Sequence, residues 1–192
     1  MQNKVLLIMP SRNRESIIKA VESVKNQTDD RWHLCIVYDC IKDEPKIQET
    51  ENITCIYLDR KLGVGQNGAG NVRNKAINLL SDQYQWNGFI DDDDELDENY
   101  VSLLFSRYAN NDLVIFRMKR ALEIFPPFGC TEILPGKVGI SFCYRNPVNT
   151  RFKPGYMEDF QFLQDLQKEK EIQYTITQEI GYYVGNPRYH KK

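Results

Sequence analysis

Four short, mostly apolar runs, each closed by a polar turn, constrain this chain more than any other feature. Residues 5–9 stop at Pro10-Ser11-Arg12, residues 33–38 stop at Asp39, residues 53–58 stop at Asp59, and residues 86–90 run straight into four aspartates. Runs of this length are too short for helices and match buried strands. Between them, residues 15–27 carry Ile17, Val21 and Val24 at helical spacing, with Ile18 and Ala20 widening the face. Residues 69–80 repeat the pattern with Val72, Ala76, Ile77 and Leu80. Strand, helix, strand, strand, helix, strand predicts an α/β fold: a mainly parallel central sheet with helices on both faces. Ligand sites in such sheets form beyond the carboxyl ends of the strands. Pro10-Ser11-Arg12-Asn13-Arg14, Asp39 and residues 91–94 are therefore expected to converge on one rim.

The pattern loosens past Met118. Residues 97–108 read as a helix, 112–118 and 138–144 as extended segments, and 157–170 as a helix with Phe160, Leu163 and Leu166 inward. No repeat, linker or composition shift divides the chain, so one domain over residues 1–192 is expected.

Composition removes several function classes. The 192 residues are 41% hydrophobic and 27% charged, a globular balance. A net charge of -2 gives no global positive field with which to hold nucleic acid. No run approaches the roughly 20 apolar residues of a spanning helix, and residues 5–9 are too short for a signal-peptide core. Peripheral membrane contact stays open. The five cysteines are odd in number and lack a CxxC pair. Buried, reduced thiols in a cytoplasmic protein are the expectation.

Asp91-Asp92-Asp93-Asp94-Glu95-Leu96-Asp97-Glu98 places seven carboxylates in eight positions. Like charges this dense repel unless something positive sits among them. At the end of a strand, Asp91 and Asp93 would share one side of the chain. Two carboxylates leave a hard divalent ion, Mg²⁺ or Mn²⁺, open positions that phosphate oxygens can fill. The plain alternative is a solvated turn with acids favouring a helix start. An EF-hand loop fits poorly, because Leu96 stands where glycine is required.

Gly63-Val64-Gly65-Gln66-Asn67-Gly68 matches GxGxxG, which makes a dinucleotide-dependent oxidoreductase a rival. Against it, Asp59-Arg60-Lys61-Leu62 separates strand from glycines, and the motif follows the third strand instead of the first. Arg73, in the helix behind this loop, could meet a phosphate or orient the acidic run; a structural ion pair is the alternative. Glu158-Asp159 begins the last helix, where acids also simply favour the helix N-terminus. A carboxylate there could take a proton from an attacking hydroxyl. His33 falls in a strand and reads as structural, and His190 reads as a tail residue.

Taken in order, Pro10-Ser11-Arg12-Asn13-Arg14, Ser23-Val24-Lys25-Asn26-Gln27-Thr28, Ile36-Val37-Tyr38-Asp39, Gly70-Asn71-Val72-Arg73-Asn74-Lys75-Ala76, Phe89-Ile90-Asp91-Asp92-Asp93-Asp94 and Glu158-Asp159 form a recognisable series. The chain resembles glycosyltransferase family 2, the nucleotide-sugar transferases of the GT-A fold, over nearly its whole length and most strongly over residues 4–100. The resemblance implies a Rossmann-like sandwich whose residues 1–100 bind a nucleotide sugar and whose residues 101–192 supply acceptor contacts and base. It implies that Pro10, Ser11 and Arg12 line the base and ribose pocket. Asp39 would hydrogen-bond the nucleobase, usually uracil, with Arg73, Asp91 and Asp92 also on the donor. Asp91, Asp93 and Asp94 would hold Mn²⁺ or Mg²⁺, Asp93 or Asp94 being the direct ligand. Asp159 matches the general base of inverting members, supported by Glu158. The reaction implied is transfer from a UDP-sugar to a hydroxyl of a glycan or glycoconjugate. Two departures stand out: Cys40-Ile41-Lys42 replaces the family's frequent Asp-Gly-Ser continuation, and Arg12 replaces a common aromatic residue. The part after Glu158-Asp159 is short, as expected of a compact enzyme or of one domain of a longer protein. A non-catalytic nucleotide- or glycan-binding module is the second rival.

Overall fold

A computed structural model of the chain describes residues 1–64, 68–169 and 171–185. The elements run β1 (Gln2–Ser11), α1 (Ile17–Lys25), β2 (Trp32–Asp39), β3 (Ile53–Leu58), α2 (Gly68–Leu80), a 3-10 turn (Ser81–Gln83), β4 (Tyr84–Phe89) and β5 (Glu95–Leu96). Then follow α3 (Tyr100–Ser106), β6 (Leu113–Arg120), β7 (Glu123–Phe125), β8 (Phe142–Arg145), α4 (Glu158–Glu169) and β9 (Tyr174–Tyr183).

One sheet threads the domain in the order β3-β2-β1-β4-β8-β6-β9-β5, with β7 paired to β6. The expected parallel order holds through β3-β2-β1-β4. Beyond β4 the sheet is mixed: β8 is antiparallel to both neighbours, while β9 runs parallel to β6. Residues 5–9 of β1 are wholly buried, as a central strand covered on both sides must be. The chain leaves β1 in one direction along the sheet and leaves β3 in the other. Right-handed crossovers then put α1 and α2 on opposite faces.

Ring packing anchors the last helix. Phe162 of α4 stacks on Phe152 with centroids 4.4 Å apart, and Phe89 of β4 meets Phe152 edge-on at 5.1 Å. Phe142 and Tyr144 of β8 complete the cluster against Phe162, at 5.6 and 5.4 Å. Burying rings this fully stabilises the join by several kcal/mol, on the order of the ~3–5 kcal/mol that a buried Phe→Ala change costs.

Three expectations need correction. Residues 97–108 give only the short α3, because Asp97 turns the chain first, its carboxylate accepting the Asn99 N–H at 3.0 Å. The strand expected over 138–144 begins only at Phe142, after a tight turn in which the Phe142 N–H donates to the Ile140 carbonyl at 2.8 Å. Cys35, Cys55 and Cys143 are buried thiols, but Cys40 is exposed and Cys130 half-buried, and no disulfide joins the five. Among the described residues no helix is long and apolar enough to cross a membrane.

Candidate active site

Strand ends β1, β2 and β4 meet as the sheet topology requires. Pro10, Ser11, Arg12 and Asp39 share a cavity of about 290 Å³ with Asp91, Asp92 and Asp93. The acidic run is a turn, closed by the Asp94 N–H donating to the Asp91 carbonyl at 3.2 Å: Asp91 and Asp93 are half-buried, whereas Asp92 and Asp94 are 1% and 6% exposed.

Each buried aspartate ties the run to another element. Asp92 Oδ2 accepts from Ser11 Oγ at 2.8 Å and from the Arg12 N–H at 3.2 Å, and its Oδ1 pairs with Arg14. Arg14 reaches on to Asp93 Oδ2 at 3.1 Å. Asp94 Oδ2 accepts from the Tyr182 hydroxyl at 2.7 Å and Oδ1 from the Gly185 N–H at 2.6 Å. The same Tyr182 hydroxyl accepts the Asp91 N–H at 3.0 Å, so β9 braces the whole turn. Burial and the neighbouring charge of Asp91 push the Asp94 carboxyl up to about 7. Asp93 is also raised, chiefly by burial and despite Arg14.

Asp39 faces the same cavity but is already engaged. Its two oxygens accept the Leu62 N–H at 2.7 Å and the Gly63 N–H at 3.0 Å, and Arg12 donates to the Gly63 carbonyl at 2.7 Å. The first glycine of GxGxxG is thus fastened to β2. Residues 65–67 lie outside the described residues, as does His190. His33 sits in β2 with Nε2 at 2.8 Å from Thr54 Oγ1, a structural position.

Arg73 lies behind the cavity, 2% exposed, and joins the two halves of the site. Nη2 pairs with Asp91, and Nη1 donates to Glu158 Oε1 at 2.9 Å. Burial alone would lower its pKa, but Asp91, Asp159 and Glu158 together reverse that and raise it. Gly70 makes the junction possible, since a Cβ there would stand 2.6 Å from Glu158 Oε2. Burial lifts Glu158 to about 7, partly offset by Arg73. Burial likewise lifts Asp159 to about 6, against Arg73 and helped by Asp91. Asp159 Oδ1 is buried with no hydrogen-bond partner among the described residues.

Asp159 lines a second cavity, of about 280 Å³, with Asp94, Met118, Phe125 and Asp91. Asp91 borders both cavities, which therefore lie next to one another. Sequence reasoning missed Tyr182, because β9 went unrecognised, and gave Arg14 no role of its own. Pairing of Arg14 with Asp92 and Asp93 depends on two strand ends that only the folded sheet brings together.

A divalent ion suits these residues in a limited way. Among the described residues no three His, Cys, Asp or Glu side chains converge on one point. Arg73 and Arg14 hold one oxygen each of Asp91 and Asp93, while both Asp94 oxygens are taken by Tyr182 and Gly185. The cavity-facing acids still form a hard oxygen donor set, in which burial and then the charges of Asp91 and Asp92 raise Asp93. That fits an ion taking one or two protein oxygens and filling its shell from ligand and water, as Mg²⁺ commonly does.

An acid-edged cleft beyond the carboxyl ends of the parallel strands is where an α/β fold of this kind places its ligand site. The model for glycosyl transferase family 2 matches residues 6–126, and the chain belongs to that family. No curated protein sequence matches significantly. Among solved structures, S. aureus TarS 1-349 is similar at 18% identity with a TM-score of 0.74, covering 96% of this chain and 61% of that one. TarS 1-349 in complex with UDP gives 20% identity and a TM-score of 0.73, with 94% and 60% covered. The UDP-GlcNAc complex gives 17% and 0.71, with 95% and 58% covered. The chain thus has the GT-A fold and spans about three-fifths of these TarS chains.

Proposed function

We propose that this chain is a metal-dependent, inverting glycosyltransferase domain that moves a sugar from a nucleotide-diphosphate sugar, a UDP-sugar, to a hydroxyl of a glycan or glycoconjugate. The observation that carries the reading is that Asp91 borders both cavities while Asp159, one of whose carboxylate oxygens is buried without a partner among the described residues, lines the second. Binding of UDP and UDP-GlcNAc by TarS, a protein of the same fold, supports the donor assignment.

The first cavity takes the nucleotide and diphosphate, with Pro10, Ser11, Arg12 and Asp39 around base and ribose. Asp92 anchors the acidic turn to β1, and Asp94 anchors it to β9. Asp91 and Asp93 would hold Mn²⁺ or Mg²⁺, which supplies positive charge to the departing diphosphate. Arg73 keeps Asp91 and Glu158 in fixed relation. The second cavity takes the acceptor. Its hydroxyl oxygen bonds to the anomeric carbon as the carbon–oxygen bond to diphosphate breaks, and the hydroxyl proton passes to Asp159. One displacement inverts the anomeric configuration. Residues 1–192 act as one domain, donor side first and base side second. The absence of disulfides supports a reducing, cytoplasmic setting.

The test is UDP release from a panel of UDP-sugars with Mn²⁺, with the product anomer read by NMR. Turnover with inversion is expected. Thermal protection by NAD but by no UDP-sugar would reject the reading in favour of the oxidoreductase, and UDP binding without turnover would favour the binding module.

A further inference from the structure

The cavity that holds Asp159 also holds two cations that the steps above leave unused. Arg120 and Lys137 both line it. Arg120 ends β6, and alternation sets it on the same side as Met118, which lines the cavity too. Lys137 arrives from a different segment, two residues before Gly139, which lies against Met118 of β6. Both cations are exposed. Neither forms an ion pair among the described residues, although Glu123 faces Arg120 across the β6–β7 hairpin. The guanidinium groups of Arg14 and Arg73, by contrast, are tied to carboxylates.

The acids in this cavity, Asp91, Asp94 and Asp159, would repel an anionic ligand unless nearby cations met its charge. Two cations in the same cavity, neither in an ion pair among the described residues, do that. We propose that the acceptor carries an acidic group, a carboxylate or a phosphate, bound by Arg120 and Lys137 while a hydroxyl of the same molecule faces Asp159. This inference rests on the reading of Asp159 as the base.

The experiment compares matched methyl hexosides differing only at C6: alcohol, carboxylate (the uronide) and phosphate. Glucose, galactose and N-acetylglucosamine series are each offered with UDP-sugar and Mn²⁺, and product is measured by mass spectrometry. An acidic acceptor is expected to exceed its neutral match about tenfold in kcat/KM, the sum of two exposed ion pairs. Which acid wins separates carboxylate from phosphate. R120Q/K137Q should bring the ratio near one, and R120E/K137E should invert it. A ratio is read, so a general loss of activity does not imitate the effect. A wild-type ratio of one, or a ratio unmoved by both variants, overturns the proposal. Donor hydrolysis in the same samples separates the two readings. Hydrolysis with a ratio of one removes only the acidic acceptor, whereas neither hydrolysis nor transfer removes the transferase as well.

Discussion

Around the first cavity, carboxylates are satisfied: Asp39 by two backbone N–H groups, Asp92 by Ser11, Arg12 and Arg14, and Asp93 by Arg14. Around the second, Glu158 and Asp159 share Arg73 with Asp91, and one Asp159 oxygen has no partner among the described residues. The same residue type is held by several partners on one side, and left with an unpartnered oxygen and a pKa raised by burial to about 6 on the other. Organised acids present a fixed surface to a ligand; an under-satisfied one can accept a proton. On the proposed roles, binding and chemistry are thereby divided between the two cavities that Asp91 borders.

The largest expected effect tests that division directly. Asp159→Asn should lower turnover by about 10²–10⁴-fold while UDP affinity by calorimetry stays near wild type. Equal loss of both would erase the distinction. Next comes Asp93→Ala, or chelator added to the wild type, either of which should reduce transfer by about 10²-fold or more. Full activity in excess chelator would take the metal out of the scheme.

The acidity of Asp159 sets a smaller, graded effect. Its pKa is raised to about 6, and it works as a base only when charged. The kcat/KM should therefore be level above pH 7 and fall about tenfold per unit below pH 6. A profile flat down to pH 4 would contradict the assignment. The smallest effects are on stability. A carboxyl raised on folding contributes stability that is full below its unfolded pKa of about 3.8 and lost as pH rises through about 6. Charged Asp159 is thus a cost at neutral pH. Asp159→Asn should gain on the order of 1 kcal/mol at pH 7.5 and nothing at pH 3.5, by denaturant midpoint. Asp92→Asn, on the satisfied side, should instead lose about 1–3 kcal/mol. Opposite signs would sharpen the contrast, and matching signs would dissolve it.

Much of this was legible in the sequence, for reasons that also mark where legibility ended. Strands β1, β2 and β4 are buried on both faces, so they read as apolar runs, while the edge strand β3 is buried on one side yet still mostly apolar, and the strand-end rule led to Ser11, Asp39 and Asp91. Strand β9 escaped because Thr175, Thr177, Gln178 and Glu179 interrupt any apolar run, and only part of the strand is buried. Its loss concealed Tyr182, and with it the reason Asp94 faces inward. Within four identical aspartates, letters cannot say which one is spent on Ser11. That choice is made by a strand end some eighty residues earlier.

The ring cluster of β4 and α4 carries one more consequence. Phe89 stands two residues before Asp91, and Phe162 three residues after Asp159, with Phe152 touching both rings. On the proposed roles, the gap between Asp91 and Asp159 is therefore gauged by hydrocarbon thickness, like the jaws of a caliper. Shaving Phe152 or Phe162 should reset that gauge and slow the reaction from a distance, even where the folded population survives.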